Sequence, residues 1–149
     1  MTRTEDECRD DIIKSARSFL RTPYHHEGKL KGIGVDCLTL VMLVYQEAGL
    51  IGKVDIPHYP QDFNMHDPEE TYLNGVLKYS HEVLYPKKGD IVLYKFGRKY
   101  AHSAIVVEWP TIIHAYSGGV VSLEDAAKCA FLRYGKGGQT REYKFLSMW

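Results

Sequence analysis

Residues 88–116 read KGDIVLYKFGRKYAHSAIVVEWPTIIHAY, and the period of this stretch decides the fold. From Lys87-Lys88-Gly89 onward, apolar and β-branched residues recur with a period of two, so Ile91–Phe96, His102–Glu108 and Ile112–Tyr116 read as strands. The same pattern predicts strands over Val120–Leu123, Ala130–Tyr134 and Glu142–Leu146, with Gly135-Lys136-Gly137-Gly138 as a loop before the last. Upstream the period is helical. Ile12, Ile13, Ala16, Phe19 and Leu20 form one stripe of a helix from Asp10 to Leu20, and Thr22-Pro23 ends it. A second helix opens at Asp36-Cys37 and runs through Leu38, Leu40, Val41, Leu43, Val44 and Ala48. It is apolar nearly all round, which predicts a buried central helix, and Gly49 is its stop. Asp67-Pro68-Glu69-Glu70 reads as the N-cap, N1 proline and acidic first turn of a third helix, carrying Tyr72, Leu73, Val76, Leu77 and Tyr79. Helices first and closely spaced strands after them predict a single α+β domain, 1–149, with a mostly antiparallel sheet.

Composition narrows the function. Lys plus Arg and Asp plus Glu are both 19, so the formal net charge is zero. Nucleic-acid proteins draw their affinity largely from neutralising phosphates, and a neutral chain is a poor candidate for that role or for an anionic membrane. No stretch approaches the roughly 20 apolar residues of a membrane span. The polar start MTRTEDECRDD lacks the basic and apolar regions of a signal peptide, which predicts a cytoplasmic chain as synthesised. Cys8, Cys37 and Cys129 are odd in number and widely spaced, unlike a disulfide framework or a zinc ribbon. No HExxH or paired-ligand spacing occurs, so the sequence implies neither a metal nor a cofactor.

Cys37 stands at the start of the buried helix. Free N–H groups and the positive end of the dipole favour a thiolate there, and the thiolate is the nucleophile. The glycines upstream, Gly28, Gly32 and Gly34, are small enough to let a substrate backbone approach. A nucleophilic cysteine needs a base. With Glu108-Trp109-Pro110 as the turn, Ala104 faces His114, and His102 and His114 become diagonal neighbours on one face of the sheet. One histidine can then take the thiol proton while the other orients it. His25 and His26 precede the glycine loop, where lining a cleft and simple solvation are equally good readings.

These residues resemble a known family. Arg21-Thr22-Pro23-Tyr24, the glycine loop and Gly34-Val35-Asp36-Cys37 are similar to the approach to the catalytic helix in NlpC-type papain-like cysteine peptidases. Lys88-Gly89-Asp90-Ile91-Val92 resembles the family's GD turn, Ala101-His102-Ser103-Ala104-Ile105 its basic-histidine strand, and Ile113-His114-Ala115 the strand of its third polar residue. The resemblance covers roughly residues 12 to 133, and Gly34–Leu50, Tyr59-Pro60 and His114–Gly119 look closest to short, stand-alone phage and prophage members. It implies a papain-like α+β fold and hydrolysis of amide bonds in peptidoglycan stem peptides, typically between γ-linked D-glutamate and a diamino acid. It further implies Cys37 as nucleophile, His102 as general base and His114 as its orienter. Tyr24 would border the site and donate to the oxyanion, and Asp36 would face the free amine of a stem peptide. Muropeptide fragments and phage tail proteins are the partners it implies, with no cofactor. Leu38-Thr39 departs from the family's usual Ser-Gly, and Ser103 stands where valine is common. Other acyl chemistry on the same fold, by an amidase or acyltransferase, and a tail or assembly protein with a vestigial site are the alternatives.

Overall fold

The computed structural model describes residues 2–52 and 78–149. The helix expected from Asp67 onward lies outside the described residues. Helix α1 spans Glu5–Ser18 and so begins before the apolar stripe. Its start is set by a reciprocal capping box: Thr4 Oγ1 accepts from Glu7 N at 3.1 Å, and Glu7 Oε1 accepts from Thr4 N at 3.3 Å. Glu5, Asp6 and Glu7 also place three carboxylates on the positive end of the dipole. A two-stranded ribbon follows, β1 (Lys29–Leu30) antiparallel to β2 (Gly34–Val35). The chain crosses itself here. A Cβ on Gly28 would lie 2.5 Å from the Gly34 carbonyl oxygen, and one on Gly34 would lie 2.6 Å from the His25 Cβ. Gly28 and Gly34 thus admit the protein's own chain, where the sequence suggested room for a substrate, while Gly32, in open space, turns at φ +79°. Helix α2 spans Cys37–Glu47, caps at Ala48 and turns out through Gly49 at φ +76°.

Among the described residues the main sheet has six strands, β3 (His81–Val83), β4 (Ile91–Phe96), β5 (Lys99–Glu108), β6 (Thr111–His114), β7 (Ser122–Asp125) and β10 (Tyr143–Ser147). Their spatial order is β3-β10-β4-β5-β6-β7, antiparallel throughout. The residues expected as a strand over 130–134 form instead a 3-10 turn, Ala130–Leu132, followed by a small ribbon of β8 (Arg133–Tyr134) and β9 (Gln139–Thr140). Leu132 is fully buried in that turn, so the apolar run serves as a cover for the sheet.

Two cores flank the sheet. On one face α1 and α2 lay Ile12, Ala16, Leu40, Val41 and Val44 against Leu93, Ile105 and Ile113. On the other, Val92, Tyr94, Ala104, Val106 and Ile112 meet Ala126, Cys129, Leu132 and Phe145. Each fully buried side chain of Leu or Ile size contributes about 1.5–3 kcal/mol of transfer free energy. A buried ion pair ties α1 to the turn into β4. Arg9 Nη1 lies 2.8 Å from Asp90 Oδ1 and also donates to the Lys88 carbonyl, while Tyr45 donates from α2 to the Gly89 carbonyl. Gly89 has φ +86° and its Cβ position lies 3.2 Å from Ile12 Cδ1, which explains the Gly-Asp pair: the glycine makes the turn and the aspartate receives Arg9. No helix among the described residues is long and apolar enough to cross a membrane.

Candidate active site

Cys37 is the first residue of α2, and Asp36 is its N-cap. Asp36 Oδ1 accepts from the backbone N–H of Leu38 at 3.0 Å and of Thr39 at 2.9 Å, and Oδ2 accepts from Glu27 N at 2.8 Å. Thr39 Oγ1 accepts from Asp36 N at 2.9 Å and closes the capping box. Leu38-Thr39 therefore has a local reason: Leu38 packs into the core, and Thr39 completes the cap. Asp36 is 2% exposed, and both of its oxygens hold backbone donors. The free-amine contact suggested by the resemblance meets a carboxylate already engaged in building the helix start.

Tyr24 is placed beside Cys37 by the chain on either side of it. Its N–H donates to the Gly119 carbonyl at 3.0 Å, and it bridges to Val35 in parallel. Burial, with the Cys37 and Asp36 charges nearby, raises its phenol above the usual value, so it is a neutral O–H donor. Cys37 meets β5 at two points. Its thiol lies 3.8 Å from the Ala101 carbonyl, and its own carbonyl accepts from Ser103 Oγ at 3.0 Å. Ser103 thus ties the strand to the first turn of α2.

The histidines come together as the register arithmetic expects. Ile105 pairs Ile113, and a bulge between Val106 and Glu108 tightens the turn to Trp109-Pro110 without changing which residues pair further on. His102 Nε2 lies 2.9 Å from His114 Nδ1. The pair is dry: His102 is 3% exposed and His114 is 0%. The His102 ring packs against Tyr94, Phe96 and Phe131, and Phe131 stacks on Tyr116 at 4.5 Å. Among the described residues, the hydrogen bond of the His102 ring goes to His114 and not to Cys37. With Ser103 turned toward Cys37, strand alternation turns the His102 ring toward the other core. The structure thus joins Cys37 with Tyr24, and His102 with His114, and links the two sets through the backbone of residues 101–103.

Burial holds the His102 ring well below its ordinary value, helped by His114 and by the Arg141 guanidinium. Burial lowers His114 too, against the opposing pull of Glu124. Glu124 is the residue that the sequence did not single out. Its Oε2 lies 3.2 Å from His114 Nε2, and Tyr116 donates to its Oε1 at 3.3 Å. Burial pushes the Glu124 carboxyl up, but hydrogen bonds from Cys129, His114 and Tyr116 outweigh it and hold the group below its usual value. Cys129 is pushed up to about 11 by burial and by this carboxylate, so it is a thiol at neutral pH. The ligand atoms of His114, Glu124 and Cys129 lie within 4.8 Å of one another, a grouping that could hold a metal ion. They come from β6, β7 and the turn at Ala130, so no sequence spacing announces them. Alternation carried one residue past Leu123 would have set Ser122 and Glu124 on the His114 face.

The NlpC/P60 family model matches residues 21–134, well over half of the chain. Among curated proteins none matches. The NlpC/p60 domain of the peptidoglycan hydrolase SagA superposes with a TM-score of 0.59 at 21% identity, over 94% of this chain and 98% of that one. The peptidoglycan hydrolase RipB from Mycobacterium tuberculosis gives 0.59 at 18% identity, over 96% of this chain and 65% of that one. RipD from Mycobacterium tuberculosis, described as a non-catalytic NlpC/p60 domain protein adapted to peptidoglycan binding, gives 0.57 at 17% identity, over 95% and 98%. At these identities the structures attest the fold, and the family match gives the lineage: the chain belongs to the NlpC/P60 family.

Proposed function

We propose that this protein is a cysteine hydrolase of peptidoglycan stem peptides, cleaving the amide between γ-linked D-glutamate and a diamino acid. The carrying observation is the buried His102–His114 pair at 2.9 Å, with His102 on the strand that also contacts Cys37, the first residue of α2. In the reaction His102 takes the Cys37 proton and the thiolate attacks the amide carbon. The C–N bond breaks, the leaving amine takes the proton from His102, and a thioester remains. Water, deprotonated by His102, then releases the acid and the thiol. Tyr24 O–H and the Cys37 backbone N–H are the donors nearest the developing oxyanion. The His102 ring is bonded to His114 in the unliganded site, and the proton transfer requires it to meet the Cys37 thiol in the substrate complex, where catalytic hydrogen bonds tighten. Mass spectrometry of defined muropeptides after incubation tests the reading: two fragments split at the γ-D-glutamyl bond are expected, and intact muropeptide would overturn it.

One observation favours a second reading. Among the described residues the His102 ring, under Phe131, makes no hydrogen bond to Cys37, and a site without that contact would bind stem peptides without cleaving them. RipD is a family precedent for binding alone. Co-sedimentation with purified peptidoglycan, without release of soluble fragments, is the outcome expected of a binder.

A further inference from the structure

We propose that Glu124 is a positioning residue for the histidine pair, fixing which ring nitrogen of each carries the proton. The proposal builds on the reading of His102 as the base. Glu124 stands on β7 opposite Ile112, one diagonal from His114, which pairs with Ser122. Its carboxylate gathers three donors: His114 Nε2 at 3.2 Å, the Tyr116 hydroxyl at 3.3 Å and the Cys129 thiol. Its side chain is only 26% exposed, and that of His114 is fully buried.

An ionised carboxylate only accepts. The nitrogen facing it, His114 Nε2, must therefore carry a proton. A neutral imidazole has one N–H, so His114 Nδ1 is an acceptor. The atom 2.9 Å from it is His102 Nε2, which must then donate. His102 Nδ1 is left with the lone pair, and that is what a base toward a thiol requires. The other groups facing the pair do not compete. Tyr94, Phe96 and Phe131 present rings, Tyr116 and Cys129 donate to Glu124, and Arg141 is a cation that lies over Phe96. Without Glu124 the chain of donors can run backward: His114 Nδ1–H donates to His102 Nε2, and the His102 proton moves to Nδ1, where it blocks the base.

Nitrogen-15 NMR of the ring nitrogens in histidine-labelled full-length protein is the test, joined to Cys37 alkylation by iodoacetamide and to muropeptide kinetics. Both histidines of the wild type are expected in the Nε2–H form. In Glu124→Ala, His114 should shift toward Nδ1–H, and alkylation and kcat should fall roughly 10- to 100-fold, as for other outer-shell partners, with KM unchanged. Glu124→Gln, which keeps an acceptor oxygen, should restore the Nε2–H form and most of the rate. A wild-type His114 in the Nδ1–H form overturns the proposal. So does an Nε2–H signal that appears only after EDTA treatment, since a metal would then hold that nitrogen. Glu124→Ala with unchanged tautomers and alkylation also overturns it. If Glu124→Ala does not fold, the wild-type and Glu124→Gln spectra still decide. Expected tautomers without muropeptide cleavage would support this inference and refute the hydrolase reading.

Discussion

Asp36 is the clearest case of a residue whose chemistry is settled by its neighbours. Asparagine caps helices as well as aspartate does, so sequence logic makes Asp36→Asn neutral for folding. The structure reverses that expectation. Both carboxylate oxygens accept backbone N–H groups, one from Leu38 and Thr39 and the other from Glu27. An amide keeps one acceptor and turns an NH2 donor against a buried N–H. Asp36→Asn should therefore lose about 1–3 kcal/mol, read as a lower urea midpoint at an unchanged slope. Cys37→Ala removes the proposed nucleophile but few packing atoms, so the proposed hydrolysis should vanish while thermal melting holds within a few degrees. Cys8→Ala should remain active, because Cys8 lies on α1. Cleavage above background by Cys37→Ala would end the nucleophile assignment.

Among the elements, α2 and β4 were legible because their signals are strong and local: an apolar run closed by glycine, and strict alternation after a Gly-Asp turn. The start of α1 was hidden because its first turn is polar, and a capping box rather than periodicity defines it. β3 was missed because His81, Glu82 and Val83 form an edge strand with little burial and no alternation. The segment over 130–134 was misread because a short apolar run fits a strand and a covering turn equally well. The site divides along the same line. Cys37, His102 and His114 stand out as candidates from element positions alone, whereas Glu124 needs the pairing of β6 with β7, which no single segment displays. The junction of α1 with β4 makes its own prediction. Removing one partner of the buried Arg9–Asp90 pair strands the other charge, so Asp90→Ala should cost about 3–5 kcal/mol, measurable by chemical denaturation.

For the molecule as a whole, two dry histidines make stability depend on acid. Their folded values lie below the ordinary 6.5, so on acidification the unfolded chain takes up protons that the folded one refuses. The stabilisation is therefore fully present above about pH 6.5 and is lost as pH falls from there toward the folded values. The slope approaches about 1.4 kcal/mol per pH unit for each histidine held neutral. Glu124 acts in the same direction, but only below the ordinary carboxyl range. Urea midpoints at pH 7.5 and 5.5 should differ clearly in the wild type, and His102→Leu should narrow the gap. An equal gap in both proteins would mean that His102 titrates normally when folded.

The aromatic cover over the histidines also acts as a timer. Phe131, stacked on Tyr116 and in contact with Phe96 and His102, closes the rings off from solvent. A ring N–H sealed in this way trades its hydrogen with water only when the turn carrying Phe131 lifts. The His102 Nε2 proton should therefore persist long enough to give a resolved downfield signal at neutral pH. Its lifetime against deuterium counts how often the cover opens.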